Sequence, residues 1–391
     1  MKNPHDKKND EIRMKIDYEK RIFGLDIMRA IAILLVVCSH SAWIFPQTKN
    51  VFTDLMSVAG LVGVEVFFVL SGFLIGRLIY KLFTSPSFGF RDVTYFWIRR
   101  WFRTLPNYYL ILLFNVLLAI YLGTVLPENL WQYVFFIQNF AWEMPLFFGE
   151  SWSLPIEEFA YILGPLLLYL VLFLNLKISK SKLFLIITSC IVLIFFLTKI
   201  GYYFNHLQTN MIFWNVNLKA VTIYRIDAIY YGVLAAYVAI TKEDFWLRYK
   251  YLFFVIGALV FLGLNFIVPA KQLFIESYPF FWNVLYLPIN SLAIVFTLPV
   301  LSQIKSAPKF ILVPVTVISL ISYSMYLIHY SVVMQLLKHF FPTEGLSTNM
   351  LFIYLIAYFV ITTVGSYLLY VVFEKPMTNL RNHKKIKNHF K

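Results

Sequence analysis

The chain has 391 residues, of which 60% are hydrophobic and 14% charged, with a formal net charge of +14. With a mean hydropathy of +0.71, this composition excludes a soluble globular domain and predicts an all-α, polytopic membrane bundle. The positive charge does not point to nucleic acid, because most of it gathers in the loops and tails between apolar runs.

Apolar runs long enough to span predict ten helices, near 23–45, 55–82, 104–123, 153–175, 183–203, 217–240, 251–269, 280–301, 311–337 and 350–373. They form one transmembrane domain over 23–376, flanked by a cytoplasmic tail, 1–22, and a basic cytoplasmic tail, 377–391. Basic residues accumulate in cytoplasmic loops. Of the 34 Lys and Arg, only Lys49, Lys199, Lys219, Lys271 and Lys338 fall on the opposite side, so both termini are expected inside. The first run follows a polar, charged segment and is not succeeded by a small-residue cleavage pattern, so it reads as a retained helix. Cys38 and Cys190 lie within spans, and no metal-ligand spacing, phosphate loop or dinucleotide fingerprint is present.

Span 1, GLDIMRAIAILLVVCSHSAWIF, carries Arg29 and His40. Eleven residues apart, they share one helix face and lie roughly 16 Å apart along the axis. Ionisable groups at that depth call for a functional reason. Span 2 places Glu65 at a depth similar to His40, and its Gly72 and Gly76 permit close helix contact. Glu65 serves either assembly, by pairing with a buried cation, or chemistry.

At the inner end of span 3, FWIRRWFRTLPNYY sets Arg99, Arg100 and Arg103 among Trp97, Trp101 and Phe102. Such clusters anchor helices at an interface, and they also match what a nucleotide phosphate needs, since guanidinium forks bind phosphate bidentately and stack on rings. Between spans 3 and 4 the aromatic stretch WQYVFFIQNFAWEMPLFF reads either as a re-entrant segment or as a surface for an amphipathic partner. It leads into SWSLPIEEFAY, where Glu157 and Glu158 enter the outer part of span 4. Ser153 ahead of them resembles a helix capping box, which assigns at least one of the acids a structural task.

Span 6 contains Arg225 and Asp227, which point in opposite directions and seek partners on neighbouring helices; Glu65, Glu157 or Glu158 would suit Arg225. Span 9, ISYSMYLIHYSVV, brings His329 into the outer half, as a hydrogen-bonded core residue or as part of a site.

The Arg29-to-His40 spacing, GVEVFFVLSGFLI, the Arg-rich stretch ending RTLP, SWSLPIEEFAY, YRIDAIYYG, ISYSMYLIH and FEKP occur in family order between Phe23 and Pro376. Together they resemble the acyltransferase-3 family of membrane O-acyltransferases, whose members modify surface carbohydrates. Pro155 and Ile156 depart mildly from the family pattern, and Glu65 stands where Asp is frequent. Some members append an extracytoplasmic hydrolase-like domain, and this chain is expected to lack one. The resemblance implies transfer of an acyl group, most often acetyl, from cytoplasmic acyl-CoA to a hydroxyl of a cell-surface or lipid-linked saccharide, in the bacterial inner membrane and in contact with membrane lipid.

On that reading Arg99, Arg100 and Arg103, with Arg29 at the mouth of the path, hold the phosphates of acyl-CoA (acetyl-CoA in the commonest case). His40, Glu65, Glu157, Glu158, Arg225, Asp227 and His329 form the catalytic group. His40 acts as general base, with Glu65 as the first candidate to orient it and Glu157, Glu158 or Asp227 behind, while Arg225 pairs with an acid or faces the oxyanion. In a second mechanism His40 is itself acylated and relays the group outward. A competing function is a proton-coupled carrier of lipid-linked sugar or another anion, which uses the same buried residue types. A carrier built of inverted repeats should show matching broken helices in its two halves, and the sequence shows none.

Overall fold

A computed structural model describes residues 21–45, 51–207 and 209–383, with the side chains of 51–55 and 57 left aside. The tail charges from Lys2 to Lys20, Lys49 and the basic tail from Lys384 lie outside the described residues.

The described residues are helical, without strands. Ten principal helices follow in order: α1 Phe23–Ser41, α2 Val51–Thr84, α3 Phe90–Leu122, α4 Ser153–Leu170, α5 Lys180–Asn205, α6 Ile226–Thr241, α7 Lys250–Leu262, α8 Tyr286–Leu301, α9 Lys309–Ile328 and α10 Thr348–Leu369. Counting the turns that extend them, nine helices among the described residues are long and apolar enough to cross a membrane. The expected sixth span is instead a 16-residue helix, α6, entered through the irregular turns Asn215–Lys219 and Thr222–Tyr224. Arg225 and Asp227 sit where that entry becomes helix, so α6 is short because its polar start is held by side chains instead of extending through an apolar run.

Helix α2 is the central post. Two thirds of its apolar window is buried, against 17% for the span that contains α10. It packs on α1 along one side and on α6 along another. The α2/α6 contact is backbone to backbone: a Cβ on Gly72 would stand 1.8 Å from the Ile229 carbonyl oxygen, and one on Gly232 2.1 Å from that of Val69. Only glycine fits such an approach, which lets neighbouring helices meet closely where no hydrophobic force drives them together. Apolar side chains on α5, α7 and α10, such as Leu193, Leu259 and Ile356, point outward, as a lipid-facing ring requires.

Helix α3 begins at Phe90, well before the expected start of span 3, so the arginine-rich stretch is helical and continuous with the span. The connection from 124 to 152 does not lie above the bundle. Tyr108 donates to the carbonyl of Tyr133 (2.9 Å) and Tyr109 to that of Val134 (2.8 Å), so the chain folds back beside α3 by fourteen residues, roughly 21 Å, from Leu122. Of the two readings of this aromatic stretch, the re-entrant one describes its path. As a result α4 runs deep beside α3, where its Glu158 accepts from Thr104.

The start of α1 and the end of the last span share one end of the bundle. Gly24 N–H donates to Ile304 O (2.9 Å), and the terminal helix Lys375–Leu380 packs on α3 beside the arginines.

Candidate active site

Two polar regions lie inside the bundle, and the Gly149–Trp152 turn links them. The first is a cavity of about 190 Å³ between α1, α2, α3, α4 and α9. Arg29, Arg100, Arg103, Glu157, Glu158, Ser153, Tyr323 and Tyr326 line it. Arg100 stacks on Tyr161, its guanidinium carbon 4.4 Å from the ring centre, and its Nε has no partner. Tyr161 donates to Glu157 (2.5 Å) and shares a hydrogen bond with Ser71; Thr104 donates to Glu158 (2.8 Å). Arg29 approaches Asp26 (3.7 Å) and donates to Ser319 (3.3 Å). The Arg103 guanidinium makes no hydrogen bond among the described residues and faces the cavity. Three cations against two carboxylates give the lining a net positive charge, suited to an anion.

Several expectations change here. Ser153 is not a cap: Trp152 occupies the N-cap position without a side-chain bond, and the Ser153 hydroxyl meets that of Tyr326 (2.7 Å). Glu157 and Glu158 both line the cavity, at the level of the arginines and not with the outer group, because the re-entrant connection lowers the start of α4. Arg99 does not reach the cavity; it donates to Tyr95 (3.0 Å) and lies over its ring, as an anchor would.

The second region is an imidazole pair. His40, in the last turn of α1, has its Nδ1 2.9 Å from Nε2 of His329 and 3.1 Å from the carbonyl of Val36. His329 is fully buried, and its Nδ1 lies 2.7 Å from the Tyr326 carbonyl. A carbonyl only accepts, so in the neutral pair Nδ1 of His329 carries its proton and donates to Tyr326. Its Nε2 then accepts from Nδ1–H of His40. That leaves Nε2 of His40 with a free lone pair, and His40 is the less buried of the two rings. Tyr330 lies against His40, with ring centres 4.7 Å apart.

A π-helical turn, His329–Met334, begins at this histidine. Such turns free a backbone N–H from the helical ladder. Here that of Ser331 donates to Oε1 of Glu150 (3.0 Å), as does the Ser331 hydroxyl (2.7 Å). Tyr326 donates to the Glu150 carbonyl (2.6 Å). Tyr326 thus lines the cavity with its side chain while its carbonyl holds His329, so the inner wall of the cavity is also the support of the imidazole pair.

Among the described residues, no acid contacts His40. Glu65, the first candidate, is fully buried in an ion pair with Arg225 and accepts from Ser291 (2.9 Å). Arg225 therefore meets one of the partners expected for it and lies over Phe68, away from the imidazoles. Asp227 pairs with Lys199 (2.6 Å), which is buried within α5 and does not belong to an outer loop. Both pairs tie α6 to neighbouring helices. Lys219 lies 4.4 Å above the Trp152 ring, and burial pulls its ammonium down to about 8. Glu150, Lys199 and the supporting role of Tyr326 were missed from sequence. Glu150 and Lys199 did carry a signal, an ionisable residue in an aromatic or apolar run.

A multi-helix bundle with a cationic cavity at one end and a supported imidazole pair at its inner wall defines an integral, multi-pass membrane protein with an enclosed polar centre. The chain belongs to the acyltransferase-3 family: the family model, described as an acyltransferase domain, matches residues 22–371. It is 30% identical over 186 residues to YrhL of Bacillus subtilis (strain 168), which carries the provisional name peptidoglycan O-acetyltransferase; the match covers 43% of this chain and 26% of that protein. It is 27% identical over 163 residues to the peptidoglycan O-acetyltransferase OatA of Listeria monocytogenes, covering 37% of this chain and 24% of OatA. These matches span about a quarter of the length of those relatives. No solved structure matches the chain.

Proposed function

We propose that the chain is an O-acetyltransferase of the bacterial plasma membrane, moving an acetyl group from cytoplasmic acetyl-CoA to a hydroxyl of a saccharide, free, cell-surface or lipid-linked, of the cell envelope. The arginine end faces the cytoplasm, in keeping with the distribution of Lys and Arg. The observation that carries the reading is the Arg103 guanidinium and the Arg100 Nε, without hydrogen bonds among the described residues, in a cavity whose inner wall, Tyr326, also holds His329. The arginines bind the phosphates of the donor, and the pantetheine arm runs along the cavity toward the imidazoles.

Nε2 of His40 takes the proton of the saccharide hydroxyl as its oxygen attacks the thioester carbonyl. His329 holds the His40 ring in the required tautomer, the task that a carboxylate performs in a serine-hydrolase triad. The tetrahedral intermediate collapses with cleavage of the carbon–sulfur bond, and the proton on His40 passes to the leaving thiolate. Products are the O-acetyl saccharide and free thiol, so no net proton is gained or lost. Glu65, Arg225 and Asp227 are assigned to assembly in this scheme.

The test uses purified protein in lipid nanodiscs with acetyl-labelled donor. His40→Ala should abolish label transfer to saccharide while the protein remains in the membrane at parental abundance, and a variant that still transfers removes His40 from the chemistry. Label lodged on His40 in the absence of acceptor, released by hydroxylamine, would instead support the relay mechanism.

A further inference from the structure

The re-entrant connection borders a second cavity, open at the surface, that the scheme above leaves unused. It holds about 470 Å³ and lies on the α3 side where that helix ends, away from the arginines. Its polar lining comes from Glu128, Asn129, Gln132, Gln138 and Glu143, with Trp142 as the exposed aromatic face. Neither lysine nor arginine lines it.

Two features show that its groups are set in place. The Trp142 indole N–H donates to the Gln138 carbonyl (3.0 Å), which fixes the ring while leaving it 44% exposed. Gln138 is 2% exposed; its amide nitrogen reaches the Ser151 hydroxyl (3.4 Å), but its Oε1 has no partner. A buried amide oxygen without a donor is unfavourable until something supplies one. Gln138 belongs to the lining of the recess, with this open acceptor just behind its surface.

The chemistry of the lining narrows the ligand. Planar amides and carboxylates accept from, and amides also donate to, adjacent hydroxyl groups. An indole face packs against the C–H face of a pyranose ring. Two carboxylates with no nearby lining cation would repel phosphate or uronate groups. The cavity is also coupled to the imidazoles: Ser151, which Gln138 reaches, follows Glu150, and Glu150 holds Ser331, two residues beyond His329.

We infer that this cavity is the acceptor subsite and that it takes an uncharged saccharide, excluding chains that carry phosphate or uronate. The inference rests on the acetyl-transfer reading for its place in the reaction, but saccharide binding can be measured without donor. Calorimetric titration of the nanodisc-embedded chain uses three uncharged probes, chitotetraose, cellotetraose and maltotetraose, with tetragalacturonate as the anionic comparator. At least one uncharged probe should bind, and tetragalacturonate should bind at least tenfold more weakly. Trp142→Ala and Gln132→Ala, both at the cavity surface, should each weaken binding by tenfold or more. Glu128→Lys combined with Glu143→Lys should bring tetragalacturonate affinity up by a similar factor. Acetyl-CoA turnover, measured separately, reports on the transfer reading: binding without turnover refutes that reading and leaves the saccharide site standing. Failure of all three uncharged probes to bind, equal affinity for the anionic probe, or unchanged binding by Trp142→Ala overturns the proposal.

Discussion

Replacing Arg225 by Met would leave the Glu65 carboxylate buried with only the Ser291 hydroxyl for support. Removing one partner of a buried ion pair costs about 3–5 kcal/mol, because the remaining charge is uncompensated. In a membrane the unfolded reference state finds partners of its own, so the lower end applies, about 3 kcal/mol or more than a hundredfold in the folded-to-unfolded ratio. Glu65→Gln combined with Arg225→Met removes both charges, and the amide oxygen so introduced still accepts from Ser291. The double variant should therefore be about 2 kcal/mol more stable than the sum of the single losses requires. Denaturant titration of the four proteins in mild detergent, followed by tryptophan fluorescence, measures this cycle. The pair is a clamp between α2 and α6, so the double variant should also regain most of the transfer activity that Arg225→Met loses. Additive losses, or a stable double variant without activity, would refute the assignment of this pair to assembly.

Three further outcomes are expected. His329→Phe, which keeps a ring but deletes the acceptor for His40, should lower the transfer rate by about a hundredfold or more with little change in the KM for donor, as steady-state kinetics would show. Arg103→Lys keeps the charge and loses the fork, so the KM for acetyl-CoA should rise about tenfold, whereas Arg99→Lys, bound to Tyr95 outside the cavity, should leave it unchanged. Gly72→Ala forces a methyl group into the Ile229 carbonyl; the thermal midpoint in detergent should fall by an amount equivalent to about 1–3 kcal/mol, and an unchanged midpoint would mean that the helices separate without cost.

The spans were legible because a twenty-residue apolar run has few alternatives to crossing a membrane, and the small residues of α2 announced a close contact that Gly72 makes. Depth was less legible. Counting residues from a span boundary placed Glu157 and Glu158 with His40, since nothing in SWSLPIEEFAY shows that the preceding connection has already folded back beside α3. Partner choice was legible only in part. That Arg225 needs an acid follows from burial, and Glu65 was among the candidates, but the same logic sent Glu65 to His40. His40 and His329 sit 289 residues apart, and their pairing depends on the crossing of α1 and α9, which no local pattern encodes. Lys199 was counted as a topology charge because a lone lysine near the end of a span reads the same whether it snorkels or pairs.

The turn of Gly149–Trp152 has a mechanical consequence. Ser153 borders the arginine cavity, Ser151 accepts from the Gln138 amide, and Glu150 holds Ser331 on the helix that carries His329, so one short tight turn is shared by both recesses and by the support of the imidazoles. Trp152 packs edge-on against Phe68, ring centres 6.0 Å apart, which ties that turn to α2. A displacement of the turn at either recess would therefore be passed to the other and to the ring that orients His40.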